Sequence, residues 1–234
     1  PYHVWRPVFR ALFDLSDVDD PALLREHVLV RLPADPEVRE RAPLLNVVLP
    51  LGLAETELTA QLDGNLRAEN TRALLLRLLL DMLVAAPALL IIEDAHWCDS
   101  ASWALLEQLR ISAPALLLVV ATRPLDEMSG HPAADIAAEY RNLQRDPATL
   151  RIHLGVLDSE TIAALICARL GVPSVPAPAL ELIRRNAKGH PLFSEEIAYA
   201  LRDMGILRIE RGECRMADDA GNLHDLNFPD TLQG

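Results

Sequence analysis

Glu93 and Asp94 stand side by side at the end of the apolar run Ala88–Ile92. A run this short, set off by Ala86-Pro87 from the helical pattern before it, predicts a strand buried on both faces, as in a parallel sheet. Ligands of open α/β sheets lie beyond the carboxyl ends of the strands, which is where these two acids fall. There one carboxylate can hold Mg²⁺, directly or through water, while its neighbour orients or deprotonates an attacking water. A second apolar run, Leu116–Ala121, ends in Thr122-Arg123-Pro124. The Arg123 guanidinium on that strand end would clamp a γ-phosphate and stabilise transition-state charge. A plainer alternative stays open: the acids only turn the chain, and Asp99 or Ser100 caps the following helix.

The elements that must position these residues follow from spacing and punctuation. Val4, Val8, Leu12 and Phe13 share one side of a helical stretch, and Ala22–Leu32 continues in that style. Residues 34–64, with Pro36, Pro43, Pro50 and Gly52, predict short helices and loops. Glu69–Val84 is apolar around most of its circumference, with a thin polar stripe at Arg72, Arg77 and Asp81, so it should pack on several sides. Ser100–Ile111 places Leu105, Leu106 and Leu109 on one face, and Leu150–Val156 predicts a third, weaker strand. Strand, helix, strand, loop, strand describes an α/β sheet with crossover helices.

After Leu157 the pattern becomes helical. Asp158 is a good cap, Ile162, Leu165 and Ile166 form a stripe, and Gly171 stops the helix. Two further helices are predicted, at about residues 177–187 and at Leu192–Met204, the latter stopped by Gly205. "ILRIERGECRM" then alternates about Arg211-Gly212 as a β-hairpin does.

Bulk composition narrows the function classes. Of 234 residues, 50% are hydrophobic and 24% charged, which is ordinary globular usage. The longest uncharged apolar run, Met82–Ile92, is well short of the ~20 residues a membrane helix needs. No basic segment followed by an apolar core opens the chain. The three cysteines lack metal-ligand spacing and suit a reducing cytosol, so a cytoplasmic location is expected. A net charge of −12 argues against broad binding of nucleic acid or anionic membrane. The chain opens at Pro1 and closes at Gly234 in mid-pattern, so a piece of a longer protein is expected.

"LLIIEDAHWCDSASWALLEQL" resembles the Walker B region of the STAND branch of the AAA-like P-loop ATPases, above all the ATPase modules of class III adenylate cyclases and large LuxR-type regulators. Glu93, Asp94, His96, Trp97 and Asp99 match its pattern of apolar strand, two acids, His-Trp and Asp. "LLLVVATRP" resembles the sensor strand, with Thr122 and Arg123 at its polar and arginine positions. "GHPLFSEEIAYAL" resembles the Gly-x-Pro motif of the helical lid, which would place Pro191, with Gly189 beside it, near an adenine. "LNFPDTLQG" looks like the approach to the winged helix that follows in such proteins. The similarity extends from roughly Glu69 to the end.

The resemblance implies a truncated parallel-sheet P-loop NTPase core (residues 1–156), a helical lid (157–205) and the start of a winged-helix-like unit (206–234). It implies ATP and Mg²⁺ as cofactors, Glu93 as metal ligand, and Asp94 and Arg123 as the hydrolytic pair. Glu93, Thr122, Arg123, Gly189 and Pro191 would contact the bound nucleotide. The activity would be that of a slowly hydrolysing regulatory switch. Its partners would be ATP or ADP, an output domain of the same parent chain (a cyclase or a DNA-binding helix-turn-helix) and, through self-association, further copies. Each piece has a plain alternative: Gly189 and Pro191 as helix stop and start, His96 and Trp97 as packing residues, Asp99 as a cap.

Two departures stand out. Hydrolytic relatives commonly place Asp before Glu, the reverse of Glu93-Asp94, and a shorter second acid reaches less far toward water. No Gly-x-x-x-x-Gly-Lys-Ser/Thr occurs, and the single lysine, Lys188, precedes Gly189. In such proteins the phosphate loop lies upstream of the stretch that "PYHVWRPVFRALF" resembles, so the resemblance implies that the cradle has been cut off or was never there. The competing reading is a degenerate NTPase fold serving as a non-enzymatic interaction scaffold. A hydrolase with a G-x-S-x-G elbow or an H-E-x-x-H zinc site is not supported by any such motif.

Overall fold

The computed structural model describes residues 1–84, 87–123 and 138–217. They divide into two units, Pro1–Arg151 and Ile152–Gly234. The chain is mixed α/β, mostly helical, with a two-stranded parallel sheet in the first unit.

Helix starts in the first unit are written largely by aspartate, threonine and proline. After α1 (Arg6–Leu12), α2 (Pro21–Arg31) begins where Asp20 accepts from the Ala22 and Leu23 amides with Pro21 at the first helical position. The short α3 (Pro36–Glu40) repeats the device with Asp35 and Pro36. In α4 (Glu57–Ala60) Thr56 and Thr59 form a reciprocal capping box. Asp63 caps the long α5 (Gly64–Leu83) through the Leu66 amide, so this helix starts a turn earlier than its apolar pattern predicts.

β1 (Ala88–Ile92) leads through α6 (Ser100–Ser112) to β2 (Leu116–Val120), and the strands pair in parallel from Ala88 opposite Leu116 to Ile92 opposite Val120. A last helix of the unit, α7 (Ala138–Arg145), ties to α6 through Arg110 and Asp146, and Trp103 packs against Tyr140. Trp5, Phe9, Leu15, Val28, Leu45, Leu75 and Leu105 are fully buried at the centre of this unit.

Two expectations about the sheet are corrected. The strands were expected to be buried on both faces, yet among the described residues only one side is covered. Leu90, Leu116 and Leu118 join the core that α5 and α6 line. The alternate residues Leu89, Ile91, Leu117 and Val119 remain 58%, 50%, 64% and 43% exposed. The helices that share a core with this sheet do so on one side, and side chains alternate along a strand, so the other set faces water among the described residues. The third strand expected at Leu150–Val156 is also absent. That stretch has no ladder, and Leu150, Ile152, Leu154 and Val156 are exposed. Alternation makes a segment fit to pair; a strand forms only where an open edge meets it.

The second unit is three helices and a hairpin around one core. α8 (Ser159–Leu170) starts at Asp158, which accepts from the Thr161 amide, and stops at left-handed Gly171. α9 (Ala177–Ala187) and α10 (Pro191–Asp203) follow, and Ile166, Ile183 and Leu201 meet in the core between the helices. β3 (Leu207–Glu210) and β4 (Glu213–Met216) pair antiparallel about Arg211-Gly212, whose φ angles of 52° and 82° suit a tight hairpin turn. Leu207 and Cys214 belong to the same core as the helices. The winged-helix expectation for residues 218–234 lies outside the described residues.

Gly189 is held by its surroundings as well as by its backbone. Its φ is 83°, its carbonyl accepts from the Leu157 amide at 2.8 Å, and an added Cβ would sit 2.7 Å from the Leu157 carbonyl oxygen. Gly189→Ala is expected to destabilise this unit by about 1–3 kcal/mol, the usual cost of one forced backbone position. Gly171→Ala, also at positive φ but with nothing near the added methyl, serves as the milder comparison. Thermal melting of both variants checks this, and equal losses would show that the contact with Leu157 contributes nothing.

Candidate functional site

The parallel ladder runs one step past both strands and then releases the acids. The Ala121 amide donates to the Ile92 carbonyl at 2.9 Å, and the Ala95 amide donates to the Ala121 carbonyl at 2.9 Å. Glu93 and Asp94, lying between those anchors, are pushed out at the carboxyl end of β1. Thr122 and Arg123 follow Ala121 directly, so the register brings both polar ends together. Asp94 takes a left-handed conformation, φ 49° and ψ 41°, which a short polar side chain tolerates better than most. The chain then closes a tight turn over Ala95–Trp97, with the Trp97 amide donating to the Asp94 carbonyl.

Glu93, Asp94 and Arg123 are exposed, and Glu93 and Arg123 have no ion-pair partner among the described residues. The Thr122 hydroxyl donates to the Arg123 carbonyl at 3.2 Å. The Asp94 side chain is 77% exposed, while that of His96, 5% exposed, lies beneath the turn. His96 Nδ1 is 3.9 Å from an Asp94 carboxylate oxygen, and it has no hydrogen-bond partner. Trp97, expected to pack inside, is instead 62% exposed, its ring 5.2 Å from that of His96. The 95–97 turn points its three side chains in different directions, and only Ala95 and His96 go inward.

Asp99 is the helix cap that the plain alternative named. Its carboxylate accepts from the Ser102 amide and hydroxyl and, across 97 residues, from the Tyr2 amide at 2.9 Å. No local signal announced that last contact. Burial, with Asp99 beside it, pushes the Cys98 thiol up to about 12.

Gly189 and Pro191 lie in the second unit and punctuate helices: Lys188 and Gly189 end α9 with positive φ, and Pro191 opens α10. Among the described residues no group of three or more His, Cys, Asp or Glu could hold a metal ion by itself. Mg²⁺ needs only one or two protein carboxylates, and Glu93 and Asp94 are two adjacent exposed ones.

Comparison with known proteins gives partial matches. A family model described as "Domain of unknown function (DUF8739)" matches residues 158–215, the three helices and hairpin of the second unit. Adenylate cyclase type 10 of Mus musculus is 24% identical over 170 residues, covering 73% of this chain and 10% of the relative. The protein of the same name from Rattus norvegicus is 25% identical over 170 residues with the same coverage. The chain therefore spans about a tenth of the length of the curated relatives it matches. No solved structure matches.

Proposed function

We propose that these residues form the metal-and-water side of a regulatory ATPase, a switch module of the STAND type that binds ATP with Mg²⁺. The carrying observation is the convergence of Glu93-Asp94 and Thr122-Arg123 at the carboxyl ends of two paired parallel strands. In this reading the first unit is part of a P-loop NTPase core and α8–α10 are its lid. Similarity to proteins named adenylate cyclase supports the likeness drawn from the motifs. The output domain would be a cyclase or a DNA-binding helix-turn-helix of the same gene product, and the cytoplasm its compartment. Among the described residues no helix is long and apolar enough to cross a membrane.

Each residue has one task. Glu93 would hold Mg²⁺, which when bound would supply charge neutralisation at the phosphates. Asp94, pushed into solvent by its left-handed turn, accepts a proton from the attacking water or orients it. Arg123, which has no carboxylate partner among the described residues, is left for the γ-phosphate. Thr122, beside it, donates to a phosphate oxygen. The phosphate cradle is not among these elements, since the chain has no Gly-x-x-x-x-Gly-Lys-Ser/Thr. Backbone amides and one lysine supply most phosphate affinity in P-loop proteins.

The 234 residues alone are therefore expected to bind ATP weakly and not to turn it over, while the full gene product does both. Titration of fluorescent ATP with and without Mg²⁺ on the two proteins, together with phosphate release, tests this. Glu93→Gln in the full gene product should weaken Mg²⁺-dependent binding roughly tenfold or more, since even outer-shell partners of a metal contribute about 10–100-fold. Micromolar binding with steady turnover by the short chain would place the site elsewhere. A full gene product that folds and binds no nucleotide would favour the second reading, a scaffold. The apolar side of the β1–β2 sheet, exposed among the described residues, is the observation on that side.

A further inference from the structure

We propose that His96 is the positioning residue of Asp94: its buried Nδ1–H donates to the Asp94 carboxylate and fixes the direction in which that carboxylate faces the attacking water. The inference rests on the reading of Asp94 given above.

Three observations carry it. His96 is a buried polar side chain, 6% exposed, directly under the turn that holds the acids. Its Nδ1 is wholly buried without a hydrogen-bond partner, although buried polar atoms are nearly always paired. An Asp94 carboxylate oxygen lies 3.9 Å from it, about one ångström beyond bonding distance. A leucine in the same space would fill it without burying an unpaired nitrogen, and such a nitrogen costs stability.

The two ends of the contact differ in freedom. His96 is enclosed and its ring rests against Trp97, so it stays in place. The Asp94 side chain is mostly in solvent, so a rotation about its own side-chain bonds closes the gap. Hydrogen bonds between working groups are often long before the ligand arrives and tighten around it. The left-handed backbone of Asp94 limits where its carboxylate can swing, and the fixed donor below selects one direction. The chemistry is that of an oriented acid: Nδ1–H holds one carboxylate oxygen, and the other oxygen is left for water. No bond is made or broken by His96, and the proton on Nδ1 stays there.

The contact is read first without nucleotide. Ring-nitrogen NMR of the ¹⁵N-labelled 234-residue chain, with the His96 signals assigned by loss in His96→Asn, reports which nitrogen carries the proton. The expected result is the Nδ1–H form, with both ring signals moving in Asp94→Ala. An Nε2–H form, or His96 signals indifferent to Asp94→Ala, overturns the proposal.

The consequence is read in the full gene product. His96→Leu should lower kcat roughly tenfold or more at unchanged KM and with no loss of melting temperature, the scale of a misplaced general base. His96→Asn, whose amide nitrogen sits near the place of Nδ1, should restore most of that loss. Equal losses in both variants, or a loss that follows the melting temperature, would make His96 a packing residue only and overturn the proposal. If the NMR contact is present but Asp94→Asn leaves turnover intact, the functional reading of Asp94 falls. The positioning role falls with it, and the contact remains as structure.

Discussion

Asp94→Asn in the full gene product is expected to lower ATP turnover by about 10²–10⁴-fold, the usual contribution of a positioned general base. The KM for ATP should change by less than roughly threefold, because an interaction realised in the transition state alters kcat and leaves ground-state affinity alone. Asparagine is nearly isosteric with aspartate and also tolerates the left-handed region that Asp94 occupies, so the turn should persist. The carbonyl of residue 94 still accepts from the Trp97 amide, and the anchors at Ile92, Ala95 and Ala121 are all backbone. Melting temperature should therefore match the parent. Steady-state phosphate release over a range of ATP concentrations is the measurement. Parental kcat in a folded Asp94→Asn protein would remove Asp94 from the chemistry.

Trp5→Ala is expected to cost the first unit about 3–5 kcal/mol, the range for emptying a buried tryptophan site. Trp5 is fully buried, and its indole N–H donates to the Ser102 carbonyl at 3.4 Å. Ser102 is bonded in turn to both Asp99 carboxylate oxygens, and Oδ2 also receives the Tyr2 amide. Truncation thus empties a large volume and loosens the clasp between the first residues and α6, the crossover helix between β1 and β2. Against a typical stability of about 5–15 kcal/mol this leaves the unit marginal. Trp97→Ala, at an exposed ring, should cost little by the same assay. Urea denaturation followed by circular dichroism distinguishes the two; a Trp5→Ala midpoint close to the parent's would show that the core closes over the gap.

Much of this architecture is legible from local chemistry. Asp63, Asp99 and Asp158 each sit just before an apolar helical pattern, and each caps the helix it precedes. Gly171 and the Arg211-Gly212 pair sit where positive φ is required. The two parallel strands and the polar residues at their ends follow from short apolar runs, which is why Glu93, Asp94, Thr122 and Arg123 could be placed together. What failed was what depends on neighbours. The alternation at Leu150–Val156 tells which side chains would share a face but not whether an edge is there to receive them. The apolar run in β1 does not tell how many layers cover it. Nor does a motif containing His-Trp tell which of the two rings goes inward. The left-handed turn at Asp94 and the open Nδ1 beneath it belong to the same class, since each is set by how β1, β2 and the following turn pack.

The half-covered sheet has a thermodynamic consequence. Leu89, Ile91, Leu117 and Val119 already meet water in the folded chain, so unfolding uncovers less new apolar surface there than a sheet sheltered on both sides would release. Heat capacity of unfolding and the denaturant slope both scale with newly exposed area. Both should be small per residue for the first unit, and its stability curve against temperature correspondingly broad and shallow. A covering layer, from whatever source, would steepen that curve and raise its maximum together.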